Sequence, residues 1–235
     1  MKESHKILSF DTSSEKGSVA LLEGKNLRAE LRSSTGTDHS ELLLEAVDFL
    51  LGRAGWKLRD LTLVAAGIGP GSFTGIRIGV ATGIGLAQSL GIPFAGVSGL
   101  DVLAHRVTAN GRIGVLLDAR RNQFYFAEYE SKKGRPVRIG KPALIDAADI
   151  GNYLADTDWI TGDLDEDQAR MAGKSFPCRA RWIPADIFLA EGIGRLGLER
   201  KRAWRSGDFL TVEPLYIRPP DAVKNRRGKI QAKKK

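Results

Sequence analysis

Along the first hundred residues the hydrophobic positions alternate in short runs, then widen into two helical stretches. Lys6 to Phe10 reads as a first strand ending at Asp11, Thr12 to Gly17 as a turn, and Ser18 to Leu22 as a second strand. Glu23-Gly24-Lys25-Asn26 turns the chain into Leu27 to Arg32, so the three runs predict an antiparallel meander. A helix is expected over Ser40 to Leu51, with Asp38 and Glu41 at the spacing of a capping box. Its polar edge is narrow (Glu41, Glu45, Asp48). The apolar residues from Leu42 to Leu51 cover about 220°, where a core-facing helix needs about 100°.

The pattern then changes character. Leu61 to Ala66 is a short apolar run, expected to be a buried strand, and Gly67 to Gly79 (GIGPGSFTGIRIG) follows it directly. Gly69-Pro70-Gly71 forces a turn, and Ser72 or Thr74 can cap a helix running to about Leu90. Strand, glycine turn and helix together aim backbone N–H groups at an anion, although no Gly-Lys-Ser/Thr follows to make a P-loop. Only Arg77 and Gln88 give this helix a polar edge. Gly75, Gly79 and Gly83 form one stripe; Ile76, Val80 and Ala87 form another. Each helix-interior glycine costs roughly 1 kcal/mol relative to Ala. A closely approaching neighbour must compensate, either inside the same domain or on a partner. Two helices with surplus apolar surface in one lobe suggest a helical interface with another protein.

The second half repeats the first. Ile113 to Asp118 again ends a strand in Asp, and Gln123 to Tyr129 alternates as its neighbour. Pro136 to Ile139 is expected as a third strand, Asp149 to Leu154 as a helix, Asp158 to Gly162 as a strand ending in glycine, and Pro184 to Leu198 as the last long helix. Two copies of β-β-β-α-β-α resemble the duplicated ribonuclease-H-like lobes of the actin, sugar-kinase and Hsp70 superfamily. The expected fold class is therefore α/β, with each lobe a mixed five-stranded sheet flanked by helices. The expected division is a lobe over 1–104, a second over 105–217 and a tail over 218–235.

Charge changes the picture at one end only. Residues 218 to 235 hold eight Lys or Arg against one acid, so nearly all of the net charge of +8 sits in the last 18 residues. A tail of this kind is expected to stay disordered and contact polyanions, RNA among them, or merely to solubilise. The one cysteine, Cys178, excludes an intrachain disulfide and fits a reducing cytoplasm. Ile78 to Leu100 runs 23 residues without a charge, but six glycines and Pro93 break it into helix, turn and strand rather than a membrane span. The start, MKESHK, lacks the apolar core of a signal peptide.

Specific motifs carry a closer resemblance. ILSFDTSS with VALLE, His39-Ser40-Glu41-Leu42-Leu43, GPGSFTGIRIGVATGIGLA, Gly91-Ile92-Pro93, LDARRNQFYFA and Pro214-Leu215-Tyr216-Ile217-Arg218 occur in order across residues 6 to 218. In these the chain resembles the TsaB (YeaZ-type) family. The resemblance implies a non-catalytic subunit of bacterial tRNA threonylcarbamoyladenosine synthesis, located in the cytoplasm. It implies pairing with the catalytic paralogue TsaD through the N-terminal lobes, with TsaE, an ATPase, joining the pair. TsaC would supply the threonylcarbamoyl-adenylate, and the modified adenosine lies next to the anticodon of tRNAs reading codons that start with A. The docking positions are expected at Leu42, Leu43, Ala46, Val47, Leu50, Gly75, Ile76, Gly79, Val80, Gly83 and Ala87. Leu43 and Leu50 are the outward-facing candidates, and homodimerisation through the same face is expected when the paralogue is absent.

Residue chemistry agrees with a non-enzymatic role. Asp11 and Asp118 occupy the strand ends where this superfamily places carboxylates for Mg-nucleotide. With Thr12, Ser13, Gly69, Gly71 and Ser72 they form the candidate nucleotide or anion site. Yet Thr12-Ser13-Ser14 lacks glycine, and Ala119-Arg120-Arg121 is bulky where a backbone nest is needed, so capping of the strand turns is the favoured role for both aspartates. The isolated chain is expected to need no cofactor, leaving ATP or ADP to the joint interface with the paralogue. His5, His39 and His105 have no ligand spacing, and the His-x3-His pair of TsaD is replaced here by Val97 to Leu103. Asp101 could accept a cation but has no evident co-ligands, so no metal is expected. Ser72 lacks a nucleophile elbow. An actin-like ATPase or kinase remains the alternative function, and a metallopeptidase-like enzyme the weaker one.

Overall fold

The computed structural model describes residues 4–34, 39–164, 180–200 and 212–218, the side chains of 39–42 excepted. β1 (Lys6–Asp11) lies at the centre of its sheet, which explains why Ile7, Leu8 and Phe10 are all fully buried. It pairs antiparallel with β2 (Gly17–Glu23), which pairs antiparallel with β3 (Asn26–Ser33). On its other side it pairs parallel with β4 (Leu63–Gly67), followed by β5 (Phe94–Val97), giving the order β3-β2-β1-β4-β5.

The second sheet repeats this plan. It comprises β6 (Gly111–Asp118), β7 (Gln123–Lys132), β8 (Arg135–Asp146), β9 (Trp159–Asp163) and β10 (Arg181–Pro184), in the order β10-β9-β6-β7-β8. The antiparallel and parallel pairings fall at equivalent places, and both copies shift register between their second and third strands, at Leu21/Leu22 and at Phe126/Glu128. The chain thus has the duplicated ribonuclease-H-like fold expected from its repeat, two mixed five-stranded sheets with flanking helices.

α1 (His39–Ala54) and α2 (Phe73–Leu90) cover the outer face of the first sheet, packing Leu43, Val47, Leu50, Ile76 and Val80 on Leu8, Phe10, Val19 and Leu21. Ser72 caps α2 by accepting from Gly75 N–H, and Gly91 ends it in the left-handed conformation. The charge-free stretch is therefore divided as expected, and no helix among the described residues is long and apolar enough to cross a membrane.

The inner faces depart from the expected division. α3 (Gly99–Arg106) lays Leu100 and Leu103 against Ile113, Val115 and Tyr129 of the second sheet. α5 (Ala190–Glu199), from the far end of the chain, lays Ile193 and Leu196 on Ile7, Leu22 and Leu63 of the first. A cut at 104/105 would run through α3, and it would assign the last helix to the wrong sheet. That helix also starts at Ala190 rather than Pro184, because Pro184 closes β10, a strand too short and half-exposed to stand out in sequence. α4 (Ile150–Tyr153) covers part of the second sheet's outer face, beside Leu116, Phe124 and Ile160. The basic tail beyond Arg218, Cys178 and the Asp38 cap lie outside the described residues.

One carboxylate ties this inner layer together. Asp101, on α3, accepts from the Tyr129 hydroxyl at 2.8 Å, from the Arg138 guanidinium through Nε at 3.1 Å and through Nη2, and from Arg200 at 2.7 Å. Arg200 also donates to the Gly96 carbonyl of β5 at 3.1 Å. Asp101 therefore does hold cations, in the form of the Arg138 and Arg200 guanidinium groups. Burial pushes its carboxyl up, but the hydrogen bonds from Arg138, Tyr129 and Arg200 outweigh this and hold it below the ordinary carboxylate range. Asp101→Asn removes the charge that pairs with half-buried Arg138 and with solvent-accessible Arg200 and is expected to lower stability by roughly 1–3 kcal/mol in urea unfolding. Because the folded-state pKa is depressed, this contribution is present above the unfolded value of 3.8 and lost as pH falls through the folded value. The variant should lack that part of the acid-side loss; equal acid sensitivity in both proteins would contradict the assignment.

Candidate functional site

At the C-terminal end of β1, Asp11 is buried and its Oδ1 accepts Ser13 N–H at 3.2 Å; in the second copy Asp118 Oδ1 accepts Arg120 N–H at 2.7 Å. Both strand-end carboxylates thus bind the amide two residues on and hold the turn after their strand. The glycine loop is tied to the turn that follows β1. Ser72 N–H donates to Ser13 O at 2.7 Å, Gly75 N–H to Ser72 Oγ at 3.3 Å, and Thr12 Oγ1 to Gly75 O at 2.7 Å. The Thr12-Ser13 turn thus packs directly on the glycine loop. Gly71 and Gly75 are needed for that approach, since a Cβ on either would collide with the Ser13 or Thr12 carbonyl oxygen.

The mouth of the cleft between the lobes is bridged as well. Arg120 pairs with Glu15, and Lys16 with Asp163 at 3.6 Å, both across the two copies. Arg120, Arg121 and Asn122 all have φ between 57° and 58°, so the turn carries three non-glycine residues in the left-handed region instead of a glycine nest. Residues 212–218 then strap the glycine loop: Leu215 N–H donates to Ile68 O at 2.8 Å, and Arg218 Nη2 donates to Gln123 Oε1 at 2.6 Å. Tyr125, beside this strap, is held above its ordinary pKa by burial. Among the described residues no group of three His, Cys, Asp or Glu could hold a metal.

The outer helical face has the opposite character, with the interior and exterior positions corrected. Leu43, Ala46, Val47, Leu50, Ile76, Val80 and Ala87 are all at most 7% exposed, within their own lobe's core. Leu43 and Leu50 therefore do not face outward. The side chain of Leu42 lies outside the described residues. The glycine stripe also turns inward: a Cβ on Gly79 would stand 2.5 Å from Thr12 Oγ1, and one on Gly83 would meet Phe94 and Phe10. The surplus apolar arc of α1 resolves to Leu44, 53% exposed, and Phe49, 58% exposed. They flank the polar edge formed by Glu45 and Asp48. On α2 the outward stripe is Thr74, Arg77, Ala81, Gly85 and Gln88, with the two small residues at its centre and nothing within 4 Å of Gly85's missing Cβ. Apolar residues next to the polar edge of α1 were the available signal for Leu44 and Phe49. The exposed Gly85 was hidden among the buried glycines of the same helix.

Comparisons with known proteins converge. The family model described as TsaD, tRNA N6-adenosine threonylcarbamoyltransferase, matches residues 33–160. The tRNA threonylcarbamoyladenosine biosynthesis protein TsaB of Haemophilus influenzae is 32% identical over 90% of this chain and 93% of its own length. The TsaB protein of Bacillus subtilis is 40% identical over 54% of this chain, and there the match spans about half of the relative, 56% of its length. The solved structure of YeaZ from Pseudomonas aeruginosa superposes with a TM-score of 0.69 at 28% identity, covering 90% of this chain and 99% of that one.

Isothermal titration of the purified chain with Mg-ATP should give no binding tighter than about 1 mM, a free energy near −4 kcal/mol; micromolar binding would mean that the Thr12-Ser13 turn yields to a phosphate. Gly75→Ala should destabilise the chain by roughly 2 kcal/mol through collision with Thr12. Gly85→Ala should stabilise it by roughly 1 kcal/mol through helix propensity. Thermal unfolding shifts of the same sign in both variants would contradict the assignment of inner and outer faces.

Proposed function

The chain belongs to the TsaB family of tRNA threonylcarbamoyladenosine biosynthesis proteins, and from that premise we propose that it is the non-catalytic partner of a TsaD-type catalytic paralogue. Its surface for that paralogue is the outer face of α1 and α2, centred on Leu44, Phe49, Ala81 and Gly85. The observation that carries this reading is the pair of large side chains left more than half exposed beside a helix stripe flat enough for another helix to approach. The contact of the Thr12-Ser13 turn with the glycine loop and the ion pairs across the two copies support a scaffold rather than an actin-like ATPase.

In this reading the chain works in the cytoplasm, and the threonylcarbamoyl transfer to the adenosine next to the tRNA anticodon is catalysed by the paralogue. A TsaE-type ATPase binds the assembled pair, and ATP or ADP binds at the joint interface instead of in this chain alone. Without the paralogue, two copies of this chain cover the same face against each other.

Leu44→Glu and Phe49→Glu place a carboxylate where the partner would bury it, at a cost of several kcal/mol. Each is expected to weaken pairing with the paralogue about a hundredfold or more by titration calorimetry, with unfolding unchanged because both positions face solvent. Wild-type affinity in both folded variants would remove the proposed face. Threonylcarbamoyl transfer by the purified chain alone would remove the non-catalytic role.

A further inference from the structure

Leu44 and Phe49 do not touch on the outer face of α1. At 3.6 residues per turn they stand about 140° apart around the helix, and Asp48, at about 40°, and Glu45, at about 100°, fill the arc between them. Both carboxylates are exposed, and among the described residues neither takes part in an ion pair or a hydrogen bond. Gly52 continues the same ridge one turn on, exposed, with nothing within 4 Å of its missing Cβ. A partner that covers Leu44 and Phe49 together therefore covers Glu45 and Asp48 as well. Burying a carboxylate without a counter-charge is strongly unfavourable.

The chain supplies no cation at this place. Arg77 is the one charged residue on the outward stripe of α2, and it is already held, 3.8 Å from the Phe73 centroid and donating to Tyr216 Oη at 3.2 Å. Arg53 is exposed but lies about two turns beyond Glu45, on the far side of Phe49 from both carboxylates. We infer that Glu45 and Asp48 select the partner: the helix seated on α1 carries Lys or Arg side chains about one turn apart that pair with them, beside apolar residues that cover Leu44 and Phe49. That this face is covered at all rests on the proposed function above; the cationic character of the occupant comes from Glu45 and Asp48.

The same carboxylates discriminate against a second copy. A two-fold interface sets a patch against itself. Two copies would bring Glu45 and Asp48 of both chains to one face, with only the occupied Arg77 of each stripe to meet them. Self-association is then the weaker alternative, formed when no cationic helix is present. A nucleic acid or an anionic membrane surface would be repelled by the sign of the ridge.

Glu45→Gln combined with Asp48→Asn removes the charges and keeps the shapes. Both positions are exposed, so unfolding should be unchanged. By stopped flow and titration calorimetry with the TsaD-type paralogue of the same organism, this neutral variant should bind about tenfold more weakly or worse, chiefly through slower association, and should lose most of the salt dependence of the wild type. Glu45→Lys combined with Asp48→Lys should weaken pairing about a hundredfold or more. In sedimentation equilibrium of the chain alone, the neutral variant should self-associate about fivefold more tightly than wild type. Wild-type affinity of the neutral variant for the paralogue overturns the inference and leaves the ridge a solvated edge; so does weaker self-association. If Leu44→Glu and Phe49→Glu abolish pairing while the neutral variant pairs as wild type, the face stands and only its cationic occupant falls. If those two variants pair normally, the face itself is misplaced and the inference falls with it.

Discussion

Neither half of this chain closes its own core. The inner face of the first sheet is covered by α5, which the second half supplies, and the inner face of the second sheet by α3, which follows directly on the first. Leu22, Ile113, Leu100 and Ile193 therefore share one apolar layer. Fully burying a side chain of this size is worth roughly 1.5–3 kcal/mol, so opening the lobes would expose many such contributions at once. Asp101 adds a polar condition to the same layer, since Tyr129, Arg138 and Arg200 can all reach its carboxylate only when both sheets and both helices are in place.

The same closure reaches the turns at the ends of β1 and β6. Here the Thr12-Ser13 turn takes up Ser72 N–H and the Gly75 carbonyl, ion pairs span the mouth, and residues 212–218 bind both sides. The glycines of α2 serve the same end: they let the helix sit against Thr12, Phe10 and Phe94. On the outside, Leu44 and Phe49 of α1 remain exposed beside the small-residue stripe of α2.

The repeat was legible because strand-end aspartates, alternating second strands and glycine-ended fourth strands recur in order, and period-two alternation is a strong local signal. The exchange of α3 and α5 was not, because Gly99 to Arg106 and Ala190 to Glu199 carry ordinary amphipathic patterns that say nothing about which sheet they cover. The same limit applies within a helix. The wide apolar arc of α1 was plain in sequence, but Leu43 and Leu44 differ by a single 100° step, and only packing tells that Leu43 is interior. Asp101 looked unpartnered because its three donors lie 28 to 99 residues away.

In the proposed function this chain meets a catalytic paralogue through the outer helical face and not through the cleft. Thiol labelling tests it most directly, in a Cys178→Ser background carrying a single cysteine at Ala81 or at Ser14. Addition of the paralogue should slow modification at position 81 by an order of magnitude or more while position 14 reacts as before. Protection at position 14 with position 81 unchanged would place the partner in the cleft and contradict the account.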